Sequence, residues 1–334
     1  MNEVELDERL SRPTQGVLEV LRQLPGDLLI LGAGGKMGPT LALMARRALD
    51  PRHRVLAVSR FSDERLRNRL EAAGITTITA DLLDAAALTQ LPDAPNLIFM
   101  AGQKFGTHSA PHVTWAMNAI VPALVAERFA GRRTVVFSTG NVYPLTPVSS
   151  GGPTESHPVG PLGEYAMSCL ARERIFEHAA AKYGTPVAIV RLNYAIDLRY
   201  GVLVDIARRV RAGEPVALTM GHVNVIWQGD ANARALQCLA LAAAPAAVLN
   251  VTGGETISVR WLAKRFGERF GVAPRFTGVE AGDALLSDAS RSIELFGPPS
   301  VGLEPMIGWV AEWLEQGGPL LAKPTRFEER EGRF

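Results

Sequence analysis

A run of glycines directly after a short apolar segment is the part of the sequence best suited to chemistry. The apolar segment is Leu28–Leu31, and the glycines lie within Gly32–Gly38. Gly32 permits a tight turn, and Gly34 or Gly35 lets the backbone approach a phosphate. Gly38 lets the next helix pack closely on the strand. Backbone N–H groups in such a turn, with the N-terminus of the following helix, attract the pyrophosphate of a dinucleotide. The residues expected to contact it are Gly32, Gly34, Gly35, Lys36, Met37 and Gly38.

The end of the second apolar run, Val55–Ser59, bears on which dinucleotide binds. A site that prefers NAD places a carboxylate about 20 residues after the glycines, where it bonds the ribose. This chain has Ser59 and Arg60 there instead. Because a guanidinium offers charged donors to phosphate oxygens, the position favours NADP over NAD. The alternative is a solvated arginine at the start of the next helix.

Two further loops are expected to contact the dinucleotide. Asp81 and Leu82 follow the third apolar run, and Asp81 can accept a hydrogen bond from the adenine amine or, alternatively, cap a helix. Ala101 and Gly102 follow the fourth run and open the loop that carries Lys104. Ligands collect at the carboxyl edge of a parallel sheet, so both loops are candidates.

The elements that must position these residues follow a simple alternation of strand and helix. The predicted strands are Leu28–Leu31, Val55–Ser59, Thr76–Ala80, Leu97–Ala101, Val135–Ser138 and Val187–Arg191, and the predicted helices between them are Met37–Ala48, Asp63–Ala73, Val113–Phe129 and Leu170–Tyr183. The strands are apolar without alternation, as in a sheet covered by helices on both faces. The predicted fold class is therefore α/β, a doubly wound parallel (Rossmann) sheet with a smaller C-terminal substrate lobe.

The same pattern divides the chain. Residues 1–26 are an N-terminal helical extension, in which Ser11–Leu24 is the helix, and residues 27–192 are the dinucleotide-binding domain, completed by about 224–252. Residues 193–223 and 253–322 form the substrate lobe. The elements predicted after Arg191 are the helix Val204–Ala212, a helix from Ala231, the strand Ala247–Val251, which returns to the sheet, the helix Val259–Phe270 and a helix around Met306–Glu315. The charged tail 323–334 is expected to be frayed or to lie on the surface.

Composition excludes several classes of partner. Thirty-five basic and 34 acidic residues leave a charge of +1, too little to hold nucleic acid or an anionic membrane. No segment has the roughly 18 uninterrupted apolar residues of a membrane span, and Met1–Leu10 lacks the layout of a secretory signal. Cys169 and Cys238 are too few for a disulfide framework or a metal cluster. We therefore expect no metal and a cytoplasmic location.

Over roughly residues 27–315 the chain resembles the extended short-chain dehydrogenase/reductase family, the NAD(P)-dependent sugar epimerases and dehydratases. The segments that carry the resemblance are Gly32, Gly35 and Gly38 as GxxGxxG, the aspartate Asp81, the helix residue Asn118, the strand-five segment Phe137–Tyr143, Thr154-Glu155, and Arg191–Tyr194. The resemblance implies a nicotinamide dinucleotide that Asn118 and Tyr165 also contact. It also implies a homodimer built on the helices Val113–Phe129 and Leu170–Tyr183.

The resemblance further implies the roles of two side chains. Thr139 would hydrogen-bond the reacting hydroxyl or carbonyl, and Tyr165 would move its proton during hydride transfer. The family has a lysine four residues after the tyrosine, whereas this chain has Cys169. A free tyrosine has a pKa of about 10, so its use as a base needs a nearby positive charge. Cys169 is either a small apolar filler or a reactive thiol, and the best substitute for the missing cation is Lys104.

Two functions remain open at this point. The first is an NAD(P)-dependent oxidoreductase that acts on a sugar, a nucleotide sugar or a related polyhydroxy or keto compound, with Asn193 and Arg199 as candidate substrate contacts. The second is a catalytically silent protein that senses the dinucleotide or serves as a scaffold, because a residue of the family's proton-transfer machinery is absent.

Overall fold

The computed structural model describes residues 1–321, 323 and 325–333. The strands are β1 (Leu28–Leu31), β2 (Val55–Ser59), β3 (Thr76–Thr79), β4 (Asn96–Phe99), β5 (Arg133–Thr139), β6 (Thr146–Pro147), β7 (Val187–Leu192), β8 (Ala195–Ile196), β9 (Pro215–Ala217), β10 (His222–Val223), β11 (Ile226–Trp227), β12 (Ala247–Val251), β13 (Ile257–Ser258), β14 (Arg275–Thr277) and β15 (Asp283–Ala284). The helices are α1 (Glu3–Leu10), α2 (Gln15–Gln23), α3 (Gly38–Ala48), α4 (Glu64–Ala72), α5 (Ala85–Thr89), α6 (Pro111–Trp115), α7 (Val121–Arg128), α8 (Gly163–Tyr183), α9 (Val202–Arg211), α10 (Gln228–Gln237), α11 (Val259–Phe270), α12 (Ser290–Phe296) and α13 (Leu303–Glu315).

Seven parallel strands form the central sheet in the order β12-β7-β5-β4-β1-β2-β3. The chain leaves β1 on one side toward β2 and later returns to its other side as β4, so the strand order reverses at β1. A crevice opens at the carboxyl ends of the strands at such a reversal. The predicted doubly wound sheet is confirmed, and the glycine turn lies at its switch point.

Helices cover both faces of the sheet. Successive side chains of a strand point to opposite faces, so an apolar strand presents apolar side chains on each face. Leu28 and Ile30 belong to the core under α2, α3 and α10. Leu29 and Leu31 belong to the core under α7 and α8. All four are fully buried, which explains why the strand lacks alternation in the sequence.

The second lobe has a core of its own, built from α9, α11 and α13. Leu6 and Leu10 of α1 belong to this core, whereas Val17 and Leu21 of α2 belong to the core under the sheet. The helix predicted at Ser11–Leu24 is observed as the shorter α2, Gln15–Gln23. Thr14 caps it by accepting a hydrogen bond from the Val17 amide, so it begins after Pro13.

Two predicted helices differ in a way that matters for the site. The helix predicted at Val113–Phe129 begins at Pro111 and contains a π-helical turn at Ala116–Ile120 between α6 and α7. The helix predicted at Leu170–Tyr183 begins seven residues earlier, at Gly163, so that Tyr165 lies in its first turn.

The C-terminal tail is the clearest correction. Lys323, Arg326, Glu331 and Arg333 are exposed as expected, but Thr325 and Phe327 are only 3% and 2% exposed, and Phe327 joins the core of the second lobe. Ala322, Pro324 and Phe334 lie outside the described residues. Among the helices that the structure describes, none is both long and apolar enough to cross a membrane.

Candidate active site

The glycine turn joins β1 to α3 through contacts that leave no room for larger residues. Gly32 has a φ of 93°, and a Cβ there would lie 2.5 Å from the Ala101 nitrogen beyond β4. A Cβ on Gly38 would lie 2.4 Å from the Ala33 carbonyl oxygen, so the helix can begin this close to the strand only with glycine. The amides of Gly32 and Ala33 both donate to the Val58 carbonyl, at 2.9 and 3.0 Å. The turn has the tight backbone that the sequence predicts.

Two cavities meet at this turn. The inner cleft has a volume of about 320 Å³, and its lining residues include Gly35, Lys36, Thr139, Tyr165 and Asn193. The outer cleft has a volume of about 740 Å³, and its lining residues include Gly34, Gly35, Lys36, Arg65 and Arg69. An elongated ligand laid across the turn would meet the glycine backbone at its middle and place one end in each cavity. The shape fits a dinucleotide.

Lys36 is a buried cation between the two cavities. Its Nζ donates to the Ala195 carbonyl oxygen at 2.8 Å and lies 4.3 Å from the centre of the Tyr200 ring. Burial lowers the pKa of Lys36 to about 8, against the opposing attraction of Asp197. Its ammonium therefore lies on the glycine turn where a pyrophosphate would bind, with a charge that depends on pH near neutrality.

Tyr165 and Thr139 meet in the inner cleft. Thr139 ends β5, Tyr165 lies on the first turn of α8, and their side chains are hydrogen-bonded to each other. Burial raises the pKa of Tyr165 and the Cys169 thiol adds to the rise, whereas the charge of Arg172 and the bond with Thr139 lower it. Burial also raises the pKa of the Cys169 thiol. A neutral buried thiol supports the filler interpretation of Cys169 and not the reactive one.

Lys104 reaches this pair from the loop after β4. Its Nζ lies 5.6 Å from the centre of the Tyr165 ring and donates to the Thr325 carbonyl oxygen at 3.4 Å. Burial lowers the pKa of Lys104 to about 8. The structure thus brings the expected substitute cation against the face of the tyrosine.

Asn118 and Arg172 hold the Lys104 loop in place. The Oδ1 of Asn118 accepts from the Gln103 amide at 2.9 Å and from Arg172 Nη2 at 2.6 Å, and its Nδ2 donates to the Gln103 carbonyl at 2.9 Å. Arg172 Nη1 donates to the Phe137 carbonyl at 2.8 Å. Asn118 lies on the π-helical turn, whose extra residue turns the side chain inward, a common feature of functional sites. The role of Arg172 was not predicted, and its signal in the sequence is its position three residues after Cys169 on the same helix.

A buried ion pair fixes α8 to the sheet. Arg191 of β7 binds both carboxylate oxygens of Glu173, with a closest distance of 2.7 Å, and both side chains are almost fully buried. Ser138 Oγ donates to the same carboxylate at 2.5 Å. Since Glu173 and Tyr165 share one helix, this clamp also sets the position of Tyr165 against β5.

The other residues expected to contact the cofactor surround the glycine turn. Ser59 lies against Gly34, where a Cβ would come within 2.3 Å of the Ser59 Oγ. Arg60 is exposed at the end of β2. Asp81 is exposed, and its Oδ1 accepts from the Leu83 amide at 3.0 Å, so it closes a local turn, while Asp84 caps α5. Leu82, Ala101 and Gly102 follow β3 and β4, and Gly102 lines both clefts.

The two expected substrate contacts lie in different places. Asn193 lines the inner cleft at 3% exposure, and its Nδ2 has no hydrogen-bond partner among the described residues. Arg199 lines the outer cleft, where it is paired with Asp197 at 2.8 Å and with Asp7 of α1 at 3.0 Å. The structure does not bring Arg199 to Tyr165, because these two carboxylates hold it. Inner-cleft residues that were not expected include Asn141, Tyr194, Tyr200 and Thr325.

Within the described residues, no group of three or more histidine, cysteine, aspartate or glutamate side chains is arranged to hold a metal ion. The sequence has no recognisable match among curated proteins.

Solved structures with a similar fold include three sugar-nucleotide epimerases. UDP-glucose 4-epimerase from Thermotoga maritima is 19% identical, with a TM-score of 0.71 over 87% of this chain and 99% of that one. UDP-glucose 4-epimerase from Thermus thermophilus, in complex with NAD, is 20% identical, with a TM-score of 0.70 over 86% and 99%. UDP-glucuronic acid 4-epimerase from Bacillus cereus is 16% identical, with a TM-score of 0.72 over 87% and 99%.

A family model covers the region that holds the glycine turn, Thr139 and Tyr165. It spans residues 28–222, more than half of the 334 residues, and the chain therefore belongs to the NAD-dependent epimerase/dehydratase family.

Proposed function

We propose that the protein is an NAD(P)-dependent oxidoreductase of the epimerase/dehydratase type that acts on a sugar or a related polyhydroxy or keto compound. The observation that carries the proposal is the meeting of Thr139 and Tyr165 in a cleft that also contains the glycine turn. UDP-sugar epimerases of the same fold, two of them solved with NAD, agree with it.

The residues of the cleft divide the work. The bound dinucleotide supplies a group that accepts or returns hydride. Tyr165 exchanges a proton with the substrate hydroxyl or carbonyl oxygen, and Thr139 orients that oxygen by hydrogen bonding. Asn193 offers its unpartnered Nδ2 to a substrate oxygen, because a buried donor without an acceptor costs about 1–3 kcal/mol. The ammonium of Lys104 stabilises the tyrosinate in place of the family lysine.

We propose NADP as the preferred cofactor, although the neighbouring structures that name a dinucleotide name NAD. Arg60 is exposed at the end of β2, and it forms no ion pair among the described residues. Replacement by alanine should weaken NADP binding and leave NAD binding unchanged. Equal affinities for both dinucleotides in the unaltered protein would contradict the preference.

The experiment that tests the function compares Tyr165→Phe with Tyr183→Phe. Both tyrosines lie on α8, but Tyr183 is 39% exposed at its far end. With a panel of sugars and sugar nucleotides, the rate of product formation and the rate of the transient nicotinamide absorbance change in a single turnover should fall by roughly 10²–10⁴ in Tyr165→Phe and stay unchanged in Tyr183→Phe. Full turnover by Tyr165→Phe would contradict the proposal. Tight dinucleotide binding with neither product formation nor a transient absorbance change would instead support the silent sensor.

We also propose that the protein is a cytoplasmic homodimer that pairs through the helices around α7 and α8. Ile120 and Met167 expose apolar side chains on these helices, at 55% and 39%. Light scattering should give twice the chain mass, and a double Ile120→Lys, Met167→Lys variant should give the single mass. A monomeric unaltered protein would contradict this part of the proposal.

A further inference from the structure

We propose that residues 325–333, the C-terminal strap, form a fixed wall of the inner cleft that restricts the substrate to a free polyhydroxy or keto compound of monosaccharide size. A nucleotide-linked sugar would not fit. The inference rests on the proposed function, since it narrows the substrate class of the same cleft.

The first support is how firmly the strap is attached beside the cleft. Thr325 lines the inner cleft, and its amide and hydroxyl both donate to Asp205 Oδ2, at 2.8 and 2.6 Å. Its carbonyl oxygen accepts from Lys104. The Phe327 side chain is buried in the core of the second lobe. The strap is thus bonded to the cleft wall on one side and anchored in a core on the other.

The far half of the strap is attached to other elements around the cleft. Arg330 donates to the carbonyl oxygens of Thr219 and Asp283, each at 3.0 Å, and forms an ion pair with the Asp283 carboxylate. Gly332 lies against the start of α8, where a Cβ on Gly163 would come within 2.4 Å of its carbonyl oxygen. The strap therefore spans from α9 to the first turn of the helix that carries Tyr165.

The second support is the room that remains. The inner cleft has about 320 Å³, near the lower limit of pockets that hold one drug-sized ligand. Met37 and Gly35 of the glycine turn line the same cleft, so the nicotinamide end of the dinucleotide must share this volume. A sugar extended by a diphosphate and a nucleoside needs more room than this cleft provides, and Thr325 of the strap is part of the cleft lining.

The carboxylates beside the strap disfavour a diphosphate and oppose the ammonium groups of Lys36 and Lys104, which line the same cleft. Asp205 lies in the first turn of α9, and Glu328 of the strap is paired with Arg209. Burial and the charge of Glu328 raise the pKa of Tyr194, another residue of the inner cleft, which indicates that this carboxylate acts on the cleft. A helix N-terminus would attract a diphosphate, but here a carboxylate and the strap occupy its surroundings. An uncharged sugar meets no such repulsion.

The test uses the full chain saturated with NAD, with glucose and UDP-glucose as probes. Hydrogen exchange should show the amides of Thr325 and Phe327 protected, roughly a hundredfold slower than in a disordered chain. Calorimetry should show no binding of UDP-glucose at millimolar concentration. Micromolar binding of UDP-glucose, or exchange of the strap at the rate of a disordered chain, would overturn the inference.

A variant separates the wall from the rest of the fold. Phe327→Ala removes the anchor, and Phe270→Ala, which removes a ring packed on the same core far from the cleft, is the matched control. Faster exchange of the strap together with a gain in UDP-glucose affinity is expected in Phe327→Ala alone. A freed strap without any such gain would refute the role in specificity. Should Phe327→Ala not fold, Thr325→Ala loses the hydroxyl bond to Asp205 and the bond that this hydroxyl accepts from the Phe327 amide, and it is expected to show a smaller change of the same kind.

The two proposals fail in different ways. If no sugar or sugar nucleotide is converted to product while the strap stays protected and UDP-glucose stays excluded, the proposed function fails and the wall remains. If hydride transfer is observed with UDP-glucose but not with free sugars, the function holds and the wall is refuted.

Discussion

Replacing Lys104 by methionine tests whether this lysine supplies the positive charge that Tyr165 needs as a base. Its Nζ lies 5.6 Å from the centre of the Tyr165 ring. If that distance is taken as the charge separation, Coulomb's law with an effective dielectric constant near 20 gives about 3 kcal/mol, or about two pKa units. Burial already raises the pKa of Tyr165. Lys104→Met should raise it further, because the tyrosinate loses a nearby positive charge. The fraction of tyrosinate near neutral pH should fall about a hundredfold, and the rate of substrate oxidation with it.

The pH dependence of the rate gives a sharper test. Below pH 8, where Lys104 is protonated, the oxidation rate should rise with pH as tyrosinate forms. Above pH 8 the Tyr165–Lys104 pair has lost one proton, which comes either from the tyrosine or from the lysine. The ratio of these two forms does not depend on pH, so the population of tyrosinate beside a charged lysine stops rising and the rate levels off. Lys104→Arg stays charged, and its rate should continue to rise. Lys264→Met, on the exposed face of α11, is the control.

A fully active Lys104→Met variant with an unchanged pH profile would refute this reasoning. The charge would then have to come from Arg172, which also lowers the pKa of Tyr165. Arg172→Met would in that case produce the hundredfold loss.

Three further changes have expected outcomes. Glu173→Gln should lower the free energy of unfolding by about 3–5 kcal/mol in urea titrations, because it leaves the charge of Arg191 buried without its partner; a loss under 1 kcal/mol would argue against the clamp. Gly32→Ala should abolish dinucleotide binding in calorimetry, whereas Gly74→Ala, at a similar φ of 77° with nothing within 4 Å of its Cβ, should keep it. NAD affinity should fall as pH rises through about 8, where Lys36 loses its charge, and Lys36→Gln should bind more weakly and without this dependence; an unchanged pH profile in Lys36→Gln would exclude the contact.

The central sheet could be predicted because each of its strands is defined by a short run of neighbouring residues in the sequence. The strands Leu28–Leu31, Val55–Ser59 and Ala247–Val251, and the helix Val259–Phe270, lie where the sequence placed them. Their apolar runs are bounded by glycine, proline or charged residues, and burial on both faces leaves no alternation to confuse the pattern.

The parts that were missed depend on tertiary contacts. Helix α1 has few apolar residues in an acidic stretch, and Leu6 and Leu10 become core only because the second lobe covers them. A charged tail usually lies in solvent, but Phe327 and Arg330 find a core and an ion pair that the sequence does not reveal. Arg199 has the charge of a substrate ligand, yet the neighbouring Asp197 already holds it.

The candidate site was predicted where a motif defines it. The motif residues Thr139, Tyr165 and Asn118 surround the inner cleft or hold its loop, and Lys104 reaches the tyrosine as expected. Arg172 was missed because a helical arginine is ordinarily solvated, whereas here Asn118 on the π-helical turn and the Phe137 carbonyl of β5 give it buried acceptors.

Calorimetric titration of the intact chain with NAD and NADP tests most directly whether the glycine turn binds a nicotinamide dinucleotide. We expect binding of one molecule per chain, together with a rise in the free energy of unfolding of about 2.7 kcal/mol when the ligand is present at about 100 times its dissociation constant. No heat of binding and no change in melting temperature with either dinucleotide would contradict the claim that the glycine turn binds a nicotinamide dinucleotide.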